Sequence, residues 1–332
     1  MKKLLFQLDS SRLPSAFDRV VAFDAGADEV LSYGGVGEGD VRDLVHGAIF
    51  TRGPKDLRHT AVFIGGADMT QGERLLAAAR GAFFGPFSVS LMLDSNGSNT
   101  TAVAAVMKIL EALEAREADG HGARGARAVV TAGTGPVGLR AAGLLARAGL
   151  DVTITSRNEE HGAQAARAIE RRFGEEVRAV AAPGPADLPR LLEGAAVLLN
   201  TGPAGVRLVP RQAWAGRAGL HVAVDLNAVP PLGIEGIEPA DNGTEREGVL
   251  TFGALGVGGF KMKLHKACVA RLFERNDLVL DAETIADVAR ELLAPASATP
   301  GATASAAATA SAQGHSSPGA ERRAAAPGPG PG

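Results

Sequence analysis

Cysteine is nearly absent from this sequence, and its scarcity excludes a disulfide framework. Cys268 carries the single thiol among 332 residues, so no intrachain disulfide can form, as is usual in a reducing compartment. Aromatic residues are also scarce, at 4%, and they do not alternate with basic residues as they do in proteins that bind single-stranded nucleic acid. No apolar run approaches the roughly 20 residues that span a membrane.

The net charge of the chain is small as well. The chain has 34 lysines and arginines and 37 aspartates and glutamates, a net charge of −3. Without a broad positive field, we expect neither nucleic acid nor a membrane surface as a partner. The apolar run near the start is interrupted at Gln7 and is too short for a secretory signal, so we expect a cytoplasmic protein. No histidines have the spacing of paired ligands, so no metal is predicted.

Composition changes sharply after Leu293. Residues 294–332 consist almost entirely of alanine, glycine, proline, serine and threonine, without leucine, valine, isoleucine or aromatic side chains. Such a segment cannot bury enough apolar surface to offset the entropy of ordering its backbone. We therefore expect a disordered low-complexity tail over residues 294–332.

Before the tail, short apolar runs alternate with longer segments of helical period, which predicts an α/β protein. Residues 4–8, 61–64 and 87–93 are candidate buried strands, and a helix is predicted between the last two. A glycine-rich break over residues 119–125 is followed by a second series of strands and helices. Repeated alternation of this kind predicts a parallel sheet covered by helices on both faces.

The fold prediction is thus two α/β domains. An N-terminal α/β domain is placed over residues 1–120, and a Rossmann-type parallel sheet over residues 121–260. Helices over residues 261–293 could belong to either domain, and they can pack back on the first. We also expect a homo-oligomer.

The glycine-rich sequence that follows an apolar strand near residue 131 is the strongest local motif. It consists of Gly133, Thr134, Gly135, Pro136, Val137 and Gly138, and it opens a predicted helix, as a dinucleotide-binding turn does. Gly133 permits a tight turn, Gly135 lets the backbone approach a diphosphate, and Gly138 lets the helix pack closely on its strand. Free N–H groups at the helix start would bind the phosphates. The alternative is a glycine-rich turn without a ligand.

The end of the next strand indicates which dinucleotide is bound. NAD enzymes usually have an acidic residue there, but this chain has Ser156 and Arg157. A guanidinium can bind a 2′-phosphate through two hydrogen bonds, so NADP is favoured over NAD. A solvated loop cation at Arg157 is the alternative. Thr201 and Asn227 follow later strands and are candidates for the nicotinamide side, although turn chemistry alone would also explain them.

Five sequence strings, one of which is the glycine-rich turn, point together to a known family. They are 83–90 (FFGPFSVS), 93–101 (LDSNGSNTT), 132–138 (AGTGPVG), 227–234 (NAVPPLGI) and 252–259 (FGALGVGG). In this order they resemble the NADP-dependent methylenetetrahydromethanopterin dehydrogenases of bacterial one-carbon metabolism. The resemblance runs from about residue 4 to 293, and two segments resemble the branch that also accepts methylenetetrahydrofolate. The tail lies outside the family pattern.

This resemblance implies oxidation of the methylene bridge of a reduced pterin to the methenyl cation, with hydride passing to NADP⁺. Two nitrogens share the positive charge that develops on the bridging carbon, so no proton has to leave in the same step. Catalysis can therefore depend on positioning and electrostatics. An unrelated NADP-linked reductase of a small carbonyl or imine, and a non-catalytic dinucleotide-sensing protein, are the alternatives.

The resemblance also implies that residues 1–120 form the substrate domain, that residues 121–260 bind NADP, and that the pterin site lies between these domains. Asp18 and Lys261 lie in matching segments, and we expect them to be catalytic groups that orient the substrate by hydrogen bonds. Solvation or an ordinary ion pair is the alternative for both, and Lys263 is the substitute if the register is shifted. We also expect substrate contacts from the loop at the start of the helix near residue 100, namely from Ser95, Asn96, Ser98, Asn99 and Thr101. The alternative is that these side chains only cap the helix.

Overall fold

A parallel sheet is built mainly from the first part of the chain. The computed structural model describes residues 1–115, 123–182 and 184–294, and within these ranges the strands of this sheet are β1 (Leu4–Asp9), β2 (Glu29–Gly34), β3 (Thr60–Gly65), β4 (Ser90–Leu93) and β12 (Val279–Leu280). Their order is β12-β4-β3-β1-β2, and all neighbouring pairs are parallel. Strands β3 and β4 are buried throughout, as expected where helices cover both faces of a parallel sheet.

A second sheet follows in the described part of the chain. Its strands are β5 (Arg127–Thr131), β6 (Asp151–Ser156), β7 (Arg178–Ala181), β8 (Val197–Asn200), β9 (Val222–Asp225), β10 (Asn242–Arg246) and β11 (Val249–Phe252). They are arranged as β10-β11-β9-β8-β5-β6-β7. Strand β10 is antiparallel to β11, and the other pairs are parallel. The order outward from β5 is that of a Rossmann sheet, which confirms the predicted fold class.

Helices cover both sheets. They are α1 (Ala16–Asp24), α2 (Glu38–Ile49), α3 (Met69–Gly81), α4 (Ser98–Ala115), α5 (Pro136–Arg147), α6 (Glu159–Phe173), α7 (Leu188–Leu191), α8 (Arg211–Trp214), α9 (Ala254–Arg271) and α10 (Ala282–Leu293). Polar N-caps fix several starts: Ser15 accepts a hydrogen bond from the Asp18 N–H, and Asp68 accepts from two N–H groups of α3. Such caps satisfy backbone donors that the helix leaves unpaired.

One apolar core joins the two sheets. Helix α4 packs against α5, α9 and α10, and a single cluster of buried side chains includes Phe63 of the first sheet, Val106, Leu145 and Val269. Residues Met1–Leu293 accordingly form one compact unit. The C-terminal helices therefore contribute to the contact between the two sheets, and β12 extends the first sheet by pairing with β4.

The predicted limits of the domains stay predictions. Helix α9 begins at Ala254, directly after β11, and runs through the predicted boundary at residue 260. Its start lies earlier than predicted because Gly253 provides the N-cap position after the strand. Residues 116–122 lie outside the described residues and include 119–122 of the predicted glycine-rich break; the predicted tail also lies outside them from residue 295 onward.

Candidate active site

The glycine-rich turn connects β5 to α5. A Cβ on Gly133 would lie 2.7 Å from the Ile154 Cβ, and one on Gly138 would lie 2.7 Å from the Gly133 Cα. Both separations are too short for any side chain, so these two glycines allow the helix and strands to pack closely. Pro136 occupies the first turn of α5, where its missing N–H costs no helical hydrogen bond.

Gly135 is different, because it faces open space. The nearest atom to a Cβ built there is the Ala132 carbonyl oxygen, at 3.8 Å. Thr134, Gly135 and Pro136 line a cavity of about 510 Å³. No side chain caps the start of α5, which leaves backbone N–H groups and the positive end of the helix dipole available at this cavity. The turn is therefore an open cradle with positive potential, which suits an anionic group.

The same cavity extends to the end of β6. Ser156 and Arg157 line it, and they also line an adjoining cavity of about 330 Å³ together with Asn158 and His161. Ser156 Oγ accepts a hydrogen bond from the Asn158 N–H at 3.2 Å. Arg157 is exposed, so its guanidinium is free to bind a phosphate group. Asn158 and His161 were not predicted, although Asn158 is recognisable in the sequence as an N-cap residue.

The structure does not bring all of the predicted cofactor residues to this cavity. Thr201 lines it, and its hydroxyl donates to the Thr131 carbonyl oxygen at 2.9 Å. Val137 is half-buried and packs against the shared apolar core. Asn227 is buried and holds its own loop, since its side-chain amide donates to the Pro231 carbonyl and accepts from the Val229 N–H.

A second cavity, of about 340 Å³, lies at the carboxyl ends of β1, β3 and β4. Asp18, Asn96, Thr101 and Lys261 all line it. Asp18 comes from the first turn of α1, and Lys261 from the first half of α9. The fold thus brings four predicted substrate residues together from segments that are far apart in the sequence.

Sequence reasoning missed several polar residues of this cavity that lie at the end of β1 or just after it. Asp9 lines it together with Ser11 and Ser15. The two oxygens of the Asp9 carboxylate accept hydrogen bonds from the Ser11 and Ser15 N–H groups, at 2.8 and 2.9 Å. The position of these residues at the end of a predicted strand could have identified them in the sequence, because ligands of open parallel sheets bind at the carboxyl ends of strands.

Lys261 is held between aromatic rings. Its Nζ lies 4.6 Å from the centre of the Phe17 ring and 3.5 Å from Nδ1 of His265. His265 in turn stacks on Phe63, with ring centres 5.7 Å apart. A cation over an aromatic face is stabilised by the ring quadrupole, so these contacts orient the ammonium group at the wall of the cavity.

Burial shifts the pKa of three groups around Lys261. The pKa of Asp18 is raised because burial disfavours its charged form. Burial raises the pKa of Asp94 to about 6, although Lys261 and Thr100 oppose this shift. The pKa of His265 is lowered to about 3 by burial and by the nearby Lys261 charge. His265 is therefore neutral at physiological pH, while Lys261 is balanced by carboxylates.

The remaining predicted substrate residues lie away from the cavity lining. Ser95, Ser98 and Asn99 are buried. Ser95 Oγ donates to the Gly65 carbonyl, Asn99 Nδ2 donates to the Leu93 carbonyl, and Ser98 Oγ has no hydrogen-bond partner among the described residues. Lys263 is exposed and does not line this cavity. Of the predicted substrate residues in the 94–101 segment, Asn96 and Thr101 therefore line this cavity.

Neither a metal cluster nor a membrane-spanning helix is found among the described residues. Among the residues that the structure describes, no cluster of three or more His, Cys, Asp or Glu side chains could hold a metal ion. Within the same ranges, no helix combines the length and the hydropathy needed to cross a membrane.

The fold and the glycine-rich turn define a Rossmann-type oxidoreductase of the dinucleotide-binding class. Comparison with known proteins is more specific. Residues 16–96 match the family described as methylene-tetrahydromethanopterin dehydrogenase, N-terminal. The "Bifunctional protein MdtA" of Methylorubrum extorquens is 46% identical over 291 residues, which are 88% of this chain and 99% of that protein. The chain belongs to the methylenetetrahydromethanopterin dehydrogenase family, and it is an enzyme, which confirms the resemblance found in the sequence.

More distant relatives differ in name. The "NAD(P)-dependent methylenetetrahydromethanopterin dehydrogenase" of the same organism is 33% identical over 288 residues, covering 84% of this chain and 95% of that protein. Among solved structures, shikimate 5-dehydrogenase from Listeria monocytogenes is 13% identical, with a TM-score of 0.49 and coverage of 88% of this chain and 96% of that chain.

Proposed function

We propose that the protein oxidises methylenetetrahydromethanopterin to its methenyl form, with NADP⁺ as the hydride acceptor. The observation that carries this proposal is the cavity that collects Asp18, Asn96, Thr101 and Lys261, in a chain that also has an open glycine-rich cradle for a dinucleotide. The family membership and the name of the relative that uses NAD(P) support the choice of substrate and cofactor.

The residues of the cradle fit the cofactor. The open face of Gly135 admits a diphosphate, while Thr134 and the N–H groups at the start of α5 are donors for its oxygens. Arg157 and Ser156 would hold the 2′-phosphate that distinguishes NADP from NAD. When bound, the nicotinamide ring supplies the acceptor for the hydride.

Asp18 and Lys261 would orient the pterin. A carboxylate accepts hydrogen bonds from the N–H groups of the pterin ring, and an ammonium donates to its carbonyl oxygen. The carbon–hydrogen bond of the methylene bridge breaks with both electrons leaving, so positive charge develops on the substrate. The Asp18 carboxylate stabilises that positive charge. The Lys261 ammonium carries a charge of the same sign as the developing cation, and its contact with the Phe17 ring holds it at the wall of the cavity.

We propose methylenetetrahydrofolate as a second substrate. Folate and methanopterin derivatives share the reduced pterin ring and the bridging carbon, and the cavity contacts assigned above involve only this shared part. The word "bifunctional" in the name of the 46% identical relative is compatible with a site that is not restricted to one reaction.

Steady-state kinetics with both methylene-pterins, each combined with NADP⁺ and NAD⁺, tests this function. We expect NADPH formation, followed by absorbance, with methylenetetrahydromethanopterin and, at a separate rate, with methylenetetrahydrofolate. Turnover with small carbonyls or imines alone would support an unrelated reductase instead. Tight NADP binding without turnover of any substrate would support a dinucleotide-sensing protein.

The substitution Arg157→Gln tests the choice of dinucleotide. It should weaken NADPH binding about tenfold, because the contact between the charged guanidinium and the 2′-phosphate is lost at an exposed position, and it should leave NADH binding unchanged. Fluorescence titration of both dinucleotides gives the two values of Kd. The matched control Arg167→Gln removes an exposed arginine from α6 and should change neither. Equal weakening of NADPH and NADH binding by Arg157→Gln would contradict the assignment of the 2′-phosphate.

A further inference from the structure

Arg140 is a buried cation at the contact between the two sheets. It lies on α5, one turn after Pro136, and only 4% of the residue is exposed. Burial lowers the pKa of Arg140 to about 10, so the guanidinium is still protonated at neutral pH. Burying a charge in this way is costly unless its donors are satisfied by hydrogen-bond partners.

The three nitrogens of the Arg140 guanidinium each bind a different part of the molecule. Nε donates to Asn99 Oδ1 at 2.6 Å, Nη1 donates to the Pro136 carbonyl at 2.9 Å, and Nη2 donates to Glu73 Oε1 at 2.7 Å. Pro136 belongs to the glycine-rich turn, whereas Asn99 belongs to the 94–101 segment and Glu73 to α3. One planar group therefore connects the cofactor cradle to α3 and to the 94–101 segment, which borders the substrate cavity.

The hydrogen bonds continue from Asn99 to the cavity wall. The Asn99 N–H donates to Asp94 Oδ1 at 2.9 Å, and Asn99 Nδ2 donates to the Leu93 carbonyl. Asp94 also accepts from the Thr100 hydroxyl at 2.6 Å. These bonds fix the backbone on both sides of Asn96, which lines the substrate cavity. A displacement of the start of α5 would consequently be transmitted to Asn96.

We propose that Arg140 is a positioning residue that fixes the separation between the dinucleotide cradle and the 94–101 segment, so that binding of the dinucleotide also orders the substrate-binding wall. The proposal rests on the proposed function for its catalytic consequence, but the ordering can be measured without any pterin. Arg140 need not touch either ligand. A flexible arginine on the surface could not fix this separation, because a rigid connection needs a guanidinium whose donors are bound from several sides.

Hydrogen exchange of the full-length protein, with and without NADPH, tests the ordering. In the native protein, NADPH should slow exchange in peptides that cover 133–138 and also in those that cover 94–101. In Arg140→Met, the slowing at 133–138 should persist, whereas that at 94–101 should be lost. A purely structural role predicts faster exchange at 94–101 in the variant with and without NADPH, but an unchanged difference between the two states.

Kinetics supplies the second measurement. In Arg140→Met, kcat/KM for the methylene-pterin should fall about 10- to 100-fold, as expected when hydrogen bonds to a charged group are removed, and Kd for NADPH should change much less. If Arg140→Met does not fold, Arg140→Lys retains the charge and the reach to one partner, and it should show partial loss in both measurements. Arg147→Gln, at the exposed end of the same helix, is the control and should match the native protein.

Two results would overturn the proposal. One is slowing at 94–101 by NADPH that is equal in the native protein and in both Arg140 variants. The other is an absence of slowing at 94–101 in the native protein while residues 133–138 are protected. Failure of the proposed function looks different: NADPH would protect both segments, but neither methylene-pterin would be turned over. If NADPH protected neither segment, both proposals would be wrong.

Discussion

Gly135→Val is expected to abolish tight binding of the dinucleotide while leaving the protein folded. The backbone of Gly135 has φ −77° and ψ 168°, which valine adopts readily, and the new side chain would point into the open cavity. It would occupy the space where a diphosphate approaches the N–H groups of α5. Losing two hydrogen bonds to a charged group, each about 1.5–3 kcal/mol, corresponds to binding weaker by at least about a hundredfold.

Calorimetry or fluorescence titration with NADPH, together with thermal unfolding, measures both parts of this expectation. Valine is a poor N-cap residue, so a cost of about 1 kcal/mol and a fall in Tm of about 2–4 °C are expected. Gly47→Val places the same side chain on α2, where nothing lies within 4 Å of the Cβ position, and it should not affect NADPH binding. Native affinity in Gly135→Val would exclude the turn as the diphosphate site.

Gly138→Val provides a contrast. Its Cβ would meet the Gly133 Cα and Thr201 Oγ1, both at 2.7 Å, so the helix would have to move away from the turn. Its main effect should therefore be on stability, whereas that of Gly135→Val should be on binding. This difference between neighbouring glycines could not be derived from the motif alone, since the motif requires glycine at both positions.

Several of the strands that could be predicted from the sequence are buried on both faces. Strand β3 contains a continuous apolar run over residues 61–64, and β1 contains one that is interrupted at Gln7; the residues of both strands are buried almost throughout. Strand β2 escaped prediction because it lies at the edge of the first sheet and exposes Glu29 and Leu31. Strand β12 has only two residues, and it is a strand because β4 pairs with it. Such elements depend on tertiary contacts that no local pattern contains.

The site residues likewise divide into those that a local motif predicts and those that depend on contacts between distant segments. Gly133, Gly135 and Gly138 lie within one local motif, so their roles could be derived from a single strand–turn–helix unit. Lys261 and Asp18 could be selected only through the family resemblance, because they are distant in sequence. Arg140 carried no signal of function, since its partners Asn99 and Glu73 come from two other helices. A charge that is stabilised by long-range partners becomes visible only when those partners are placed in space.

Asp18→Asn is expected to lower kcat/KM for methylenetetrahydromethanopterin by about 10²- to 10³-fold, the usual effect of removing one group that stabilises charge in the transition state. Asparagine has nearly the same shape, and the backbone N–H of residue 18 can still donate to Ser15, so α1 should be retained. The loss follows from the charge alone, because the neutral amide neither stabilises the developing cation nor balances Lys261. Kd for NADPH should stay unchanged, since Asp18 lines the other cavity.

Steady-state kinetics of Asp18→Asn as a function of pH adds an independent test of this role. Burial raises the pKa of Asp18, so activity of the native enzyme should fall with decreasing pH at values above the usual range of an aspartate, as the required carboxylate becomes protonated. Asp18→Asn removes the contribution of this group to the pH profile. The control Asp24→Asn lies on the same helix and removes an exposed carboxylate that pairs with Lys266; it should have native kinetics. An Asp18→Asn enzyme with native kcat/KM for both pterins would show that the carboxylate takes no part in binding or oxidising the substrate.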